Sequence, residues 1–350
     1  MSIDQSMRGF LAALEEDGEL HRVGRVVDPR FELASVLSLR DDGAAQLFEN
    51  VQGSAMPVVG NLYNHRSRFA RALAIEEADL DAHCLAALRQ PVKPVMVEDG
   101  PVQEVVHRAP FDIGELMPVP HWFEKEGAPY ITAGVIVAKD PETGRRNVSI
   151  ARFRLEGGVR MMAGIAKNHH LAQMAEKARC LGRDLEIAVA IGNHAAVLLG
   201  SQLYLELGDD EFDNAGALLG APIELVKCKT VDLEVPAHAE IVIEGRLKPD
   251  DLIEEGAVSE FPGFYVYYGP GIGVEASCVT HRKDAIYQAI LPGYAREHCL
   301  IGAVSIGATL TRDLKRAIPA VRRVFVTEGG MGRLHAIVTM HKPRLGEGKR

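Results

Sequence analysis

No apolar run in this 350-residue chain approaches the roughly 18 residues that cross a bilayer. The first twenty residues carry Asp4, Glu15, Glu16 and Asp17, where a secretory signal would be basic and then apolar. An excess of positive charge is also missing. The net charge of -9 argues against nucleic acid or an anionic membrane as the main partner, although it leaves room for a local basic pocket. There is no C-x-x-C pair, and the five cysteines (Cys84, Cys180, Cys228, Cys278, Cys299) are odd in number and scattered. That pattern supports neither a disulfide framework nor a zinc site, and it fits buried reduced thiols. Internal repeats and low-complexity segments are absent. These features predict a cytoplasmic protein that binds a small molecule. With 47% hydrophobic and 25% charged residues, the chain has an ordinary globular composition and the length of roughly two domains.

Along the chain, RGFLAALEEDGEL reads as an amphipathic helix stopped at Gly18, and QLFENV and MPVVGNLY as strands of a small α/β unit. RQPVKPVMVEDGPVQEVV, with three prolines among β-prone residues, marks an extended crossover, and a border is placed near residue 110. A β-rich middle follows, in which YITAGVIVAKD and RRNVSIARFRL flank the turn DPETG as a hairpin. Further strands are expected at EIAVAIG, IELVKCKTVDLEV, AEIVIEGRL and FYVYYG. One helix is expected after His169-His170, with Leu171, Met174, Ala175, Ala178 and Leu181 on its apolar face, and another near Asp209 to Glu211. From Leu300 the pattern is helical to Pro319, and RRVFVT and LHAIVTM read as strands.

Three polar residues stand at element starts: Asn147 on a strand, and His170 and Glu211 at two helices. An amide oxygen, an imidazole and a carboxylate make a mostly hard ligand set suited to Mn²⁺ or Mg²⁺. Each also has a plain structural reading: an edge residue, a helix cap and a first-turn acid. Glu255 and Glu260 lie five apart in IEEGAVSEFPGFY, which is too rich in glycine and serine for a regular helix, so a loop carries both. With Arg152 beside them, such a pair can hold one acid and one base. The plain reading of that segment is a solvated acidic loop.

Taken together, the chain resembles the UbiD-like decarboxylases over essentially its whole length, from LAALEEDGELHRV and LFENV through MPVPHWFEKEGAPYITAG, NVSIAR, KNHH, DDEFDNAGALLG and EG-x-x-x-E to HRKDAIYQAILPG. The resemblance implies a mixed α/β chain in three parts: an N-terminal α/β domain (1–110), a central split β-barrel that binds prenylated FMN (111–310), and a partial C-terminal α/β region (311–350). It implies reversible decarboxylation of an aromatic, heteroaromatic or α,β-unsaturated acid through a covalent flavin adduct. Asn147, His170 and Glu211 would hold Mn²⁺ or another divalent cation at the flavin phosphate, with K⁺ nearby. Ser149, Ile150, Ala151, Arg152, His169, Ser201, Gln202 and Leu203 would contact the cofactor. Arg152, Glu255 and Glu260 would form the catalytic network, with Glu260 as proton donor. A flavin prenyltransferase would supply the cofactor, and the chain would form a homodimer or higher homo-oligomer.

Two departures from the family pattern stand out. The residues between the glutamates read GAVS instead of a proline- and aromatic-containing loop, and HKPRLGEGKR reads as the lead-in to a further helix, as though a C-terminal domain were truncated. An FMN-dependent oxidoreductase on a split barrel and an inactive truncated relative are the alternatives. Ala166, just ahead of KNHH, hints at room for a substrate bulkier than a short acrylate. Finally, Asn147 and Arg152 have opposite parity and would point to opposite faces of a flat strand. If both serve one flavin, the strand must break between them, around Ala151, and Arg154 is structural.

Overall fold

A computed structural model of the chain describes residues 3–342. The first helix, Met7–Glu16, is capped by the Ser6 side chain and buries Met7, Phe10, Leu11 and Leu14. It ends before Gly18, whose φ of +72° the missing Cβ makes inexpensive. The N-terminal sheet orders strands Leu20–Val27, Ala45–Val51, Val58–Gly60 and Tyr287–Gln288. Its first pair is parallel, so the chain returns through the helix Glu32–Leu39.

The central sheet runs in the order Tyr130–Ile131, Arg152–Gly157, Arg160–Gly164, Pro270–His281, Ile241–Glu254, Leu185–Ile191, Val135–Lys139, Arg146–Ile150. The last of these strands leads, after the single residue Ala151, into the second. Six strand spacings separate them along the hydrogen-bonded path, about 29 Å if the sheet were flat. Residues 150 and 152 can be no more than about 7 Å apart. The sheet therefore curls until its two ends meet at Ala151, although its hydrogen bonds do not close into a complete ring. This is the mixed α/β architecture expected, with the barrel split at the octet NVSIARFR.

Successive residues of the barrel strands serve two cores. Val135, Val137, Ala188 and Ala190 pack into one, and Ile136, Ala138, Ile187 and Val189 into the other. Burial on both faces explains why EIAVAIG reads as an unbroken apolar run. The hairpin turn is held by Asp140, whose carboxylate accepts from the amides of Glu142 and Thr143.

Several expectations need correction. The twelve-residue strand Pro270–His281, which pairs with three others, was not anticipated. Its Gly271 and Gly273 read as punctuation, yet a Cβ on Gly271 would lie 2.7 Å from the Ala163 carbonyl. Close strand approach, not a turn, requires that glycine. FYVYYG contributes only Tyr265–Val266 as strand, and Tyr267 and Tyr268 are exposed. The helix His170–Cys180 buries Leu171, Met174, Ala175 and Ala178, but Leu181 lies past its end and faces solvent. The long helix begins at Arg296, four residues before Leu300, and its buried Glu297 accepts the Tyr63 amide at 2.9 Å. Strands Val321–Val326 and Ala336–Met340 form an antiparallel ribbon.

The proline-rich stretch near residue 100 is tied to the middle of the chain. Val95–Met96 pairs with Glu224–Lys227, and Val105–Arg108 with Pro270–His281. The expected lead-in to a further helix, HKPRLGEGKR, lies outside the described residues after Lys342. Among the described residues no helix is long and apolar enough to cross a membrane.

Candidate active site

The break at Ala151 divides the octet between two partners. Ile150 pairs with Val135 on one side, and Arg152 with Gly164 on the other. Asn147 and Ser149 precede the break and are buried; Arg152 and Arg154 follow it. The change of partner removes the parity conflict, and it does so at the expected residue.

Before the break, the Asn147 amide donates from Nδ2 to Glu211 Oε1 at 2.8 Å, and the Val148 amide donates to Glu211 Oε2 at 2.6 Å. Glu211 opens the helix Glu211–Leu219, whose N-cap Asp210 accepts the Phe212 amide. Arg146 pairs with Asp210 at 2.5 Å and with Glu234 at 2.8 Å, which anchors that helix start to the hairpin. Burial pushes the Glu211 carboxyl up to about 8, as expected for a carboxylate without a cation beside it. Three buried polar atoms here lack a partner among the described residues: Asn147 Oδ1, Ser149 Oγ and His169 Nδ1. Such atoms are costly unless a ligand meets them. The donor set therefore fits a hard cation and a polar cofactor group.

His170 stands at the start of the helix His170–Cys180, but no hydrogen bond joins it to Asn147 or Glu211 among the described residues. His169, whose protonation burial disfavours, lines the cavity beyond the break. Among the described residues no three His, Cys, Asp or Glu side chains form a metal-binding group. The expected set does not depend on one, since it includes an asparagine.

After the break lies a cavity of about 270 Å³, reached by Ile150, Ala151, Arg152, Ala166, His169, Gln202 and Glu260. Gln202 is the member of LLGSQLYL that lines it. Ser201 turns inward to donate to the Leu198 carbonyl, and Leu203 is buried. Arg152 grips Glu255 bidentately and reaches Glu260 Oε1 at 3.3 Å. The Tyr268 ring lies 4.9 Å from the guanidinium. Glu255 is 2% exposed and Glu260 borders the cavity, so one carboxylate is committed to the ion pair and the other faces the open space.

Arg154, two residues on, donates to the Glu255 and Glu254 carbonyls and pairs with Glu156. It fixes the backbone of the glutamate loop. The GAVS segment folds as a short ribbon, Val258–Ser259 against Tyr265–Val266, with Glu260 at its turn.

Among the cavity residues that escaped the sequence reading are one acid and two bases, Glu126, His298 and Arg333. Glu126 is 3% exposed, accepts the Ser259 amide at 3.1 Å and the Phe123 amide at 3.2 Å, and is pushed up to about 7 by burial. Nothing in HWFEKEGAPY marks it over exposed Glu124. His298 is held neutral by burial, down to about 4, and its Nδ1 bonds the Gly293 carbonyl at 3.0 Å.

The chain is similar to known proteins in both sequence and fold. Residues 93–295 match the family described as the 3-octaprenyl-4-hydroxybenzoate carboxy-lyase Rift-related domain, and residues 11–88 match the N-terminal domain of the same carboxy-lyase. The chain is 36% identical over 345 residues to an anhydromevalonate phosphate decarboxylase of Methanothermobacter thermautotrophicus, covering 98% of this chain and 79% of that protein. Its fold matches the UbiD-class enzyme HmfF from Pelotomaculum thermopropionicum, in an evolved dimeric form in complex with prFMN, at TM-score 0.95 and 42% identity, over 99% of this chain and 81% of that one. Vanillic acid decarboxylase of Sedimentibacter hydroxybenzoicus matches at TM-score 0.93 and 27% identity, over 100% of this chain and 77% of that one. Both parts of the chain, and the fold that puts Arg152 between two glutamates, belong to the UbiD family, and the protein is a carboxy-lyase.

Proposed function

We propose that this chain catalyses non-oxidative, reversible decarboxylation of an aromatic, heteroaromatic or α,β-unsaturated acid with prenylated FMN as cofactor. The observation that carries the reading is the division of labour along one strand pair: unpartnered polar atoms before Ala151, and the Arg152–Glu255–Glu260 network after it. Asn147 and Glu211, with His170, would hold Mn²⁺ or another divalent cation at the flavin phosphate, with K⁺ nearby. Ser149, Ile150, Ala151, His169, Ser201, Gln202 and Leu203 would flank the cofactor. That HmfF is seen with prFMN supports this choice. When bound, the prenylated flavin supplies the electron sink that lets CO₂ depart.

The remaining work falls to side chains of this chain. Arg152 grips Glu255 bidentately and orients Glu260 toward the cavity, where Glu260 delivers a proton to the carbon that loses its carboxylate. The low-polarity walls, Ile150, Ile290 and Ile301, exclude water and strengthen the charge interactions inside. The relatives' names specify acids as different as anhydromevalonate phosphate and vanillic acid, so substrate class must come from the cavity itself. A cytoplasmic setting, a homodimer or higher oligomer and a flavin prenyltransferase as supplier complete the proposal.

The test is reconstitution with prenylated FMN and Mn²⁺, followed by a screen of unsaturated and aromatic acids for CO₂ release and for H/D exchange at the carboxylate-bearing carbon. Acid-dependent CO₂ release is the expected result. Oxidation of NAD(P)H without CO₂ release would replace this reading with a flavin oxidoreductase.

A further inference from the structure

The cavity holds two guanidinium groups in different electrostatic situations. Arg152 is spent on Glu255 and Glu260. Arg333 lines the same cavity, yet its Nη1 is buried without a hydrogen-bond partner among the described residues. Two uncharged contacts hold it in place. The Phe261 ring lies 5.0 Å from its Cζ, and the guanidinium rests on Gly302, where a Cβ would come within 3.2 Å of Nη2. These contacts orient the cation, and among the described residues no carboxylate pairs with it. His298 stands one turn before Gly302 on the same helix and also borders the cavity, with Nδ1 engaged by the Gly293 carbonyl. The walls of the same cavity also include the apolar Ile290, Pro292 and Ile301.

A buried donor without a partner is expensive, and a planar fork of donors matches a carboxylate or phosphate geometrically. We infer that Arg333 is the seat of a second anion subsite, which selects acids carrying another carboxylate or a phosphate besides the carboxylate that leaves as CO₂. This inference rests on the decarboxylase reading above, and it adds the substrate class: dianionic acids with an apolar, unsaturated body.

Calorimetric binding to the full chain without cofactor separates the two ideas, because it requires no turnover. The probes are benzoate, terephthalate and 4-phosphonobenzoate, used with wild type, Arg333→Met and Arg333→Lys. The expected result is at least tenfold tighter binding of one or both dianions than of benzoate, with the better dianion identifying carboxylate or phosphate as the group received. That preference should collapse toward one in Arg333→Met and survive in part in Arg333→Lys. An equal affinity of wild type for all three probes overturns the subsite, as does an undiminished preference in Arg333→Met. If Arg333→Met does not fold, the wild-type ratio and the Arg333→Lys ratio still decide. Weaker FMN binding by Arg333→Met at an unchanged dianion preference would assign the guanidinium to the cofactor and overturn the inference. Dianion selectivity without CO₂ release after reconstitution would leave the subsite standing and remove the decarboxylase reading.

Discussion

Arg152 meets Glu255 through two parallel contacts, Nε to Oε1 and Nη2 to Oε2, each 2.6 Å. The planar fork makes both at once, and a lysine ammonium could make only one in that geometry. Arg152→Lys should therefore preserve charge while losing orientation. Turnover is expected to drop by roughly 100-fold or more, measured as CO₂ release from the reconstituted enzyme. A lysine variant with wild-type kcat would mean that charge alone suffices.

Glu260 faces the cavity at the end of the same network. Glu260→Gln keeps the side chain's size and removes its proton. The expected loss is about 10²–10⁴-fold in turnover, together with loss of solvent deuterium incorporation at the reacting carbon. Normal turnover in this variant would assign proton delivery to another group.

The paired Asn147 and Glu211 predict cation binding that can be observed without catalysis. Mn²⁺ titrated in the presence of FMN, followed by electron paramagnetic resonance, should bind wild type and should bind Asn147→Ala roughly tenfold or more weakly. Equal affinity would place the cation elsewhere.

Glu126 makes a pH prediction with a defined sign. Its carboxyl is raised from 4.5 to about 7 in the folded chain by burial. Between these values the unfolded chain releases a proton that the folded chain keeps, so stability falls as pH rises through the window and levels off above it. Glu126→Gln should gain on wild type across pH 4.5 to 7, by ~3 kcal/mol at most. Buried Glu297, also raised to about 7, contributes the same trend, and His298 the opposite one below its ordinary 6.5. The readout is therefore the difference between denaturation midpoints of variant and wild type. A difference constant with pH would show that Glu126 does not titrate there.

Arg154 predicts a structural defect. Arg154→Met leaves the Glu254 and Glu255 carbonyls without their donor and should cost about 1–3 kcal/mol in chemical denaturation. An unchanged midpoint would mean that the loop holds itself.

Much of the site could be read from residues that announce their role locally. The opposite parity of Asn147 and Arg152 is a property of six consecutive residues, and together with the resemblance that assigns both to one flavin it located the break at Ala151. The same holds for Glu255 and Glu260, whose glycine- and serine-containing surroundings identify a loop. Glu126 and Arg333 carry no such mark, because their importance lies in partners far away in sequence: Ser259 for one, Gly302 and Phe261 for the other. The strand Pro270–His281 was hidden for a related reason. Its Gly271 responds to Met162 and Ala163 across the sheet, and a single chain read in order contains no trace of that contact.

The junction at Ala151 also acts as a yardstick. Five peptide units join Asn147 to Arg152, so their Cα atoms can be no more than about 17 Å apart. Packing around the cavity can be altered residue by residue to suit a different acid. That span cannot be altered without inserting or deleting a residue, which would also exchange the faces of one strand relative to its neighbour. Any ligand that touched both Asn147 and Arg152 would be measured by the backbone itself.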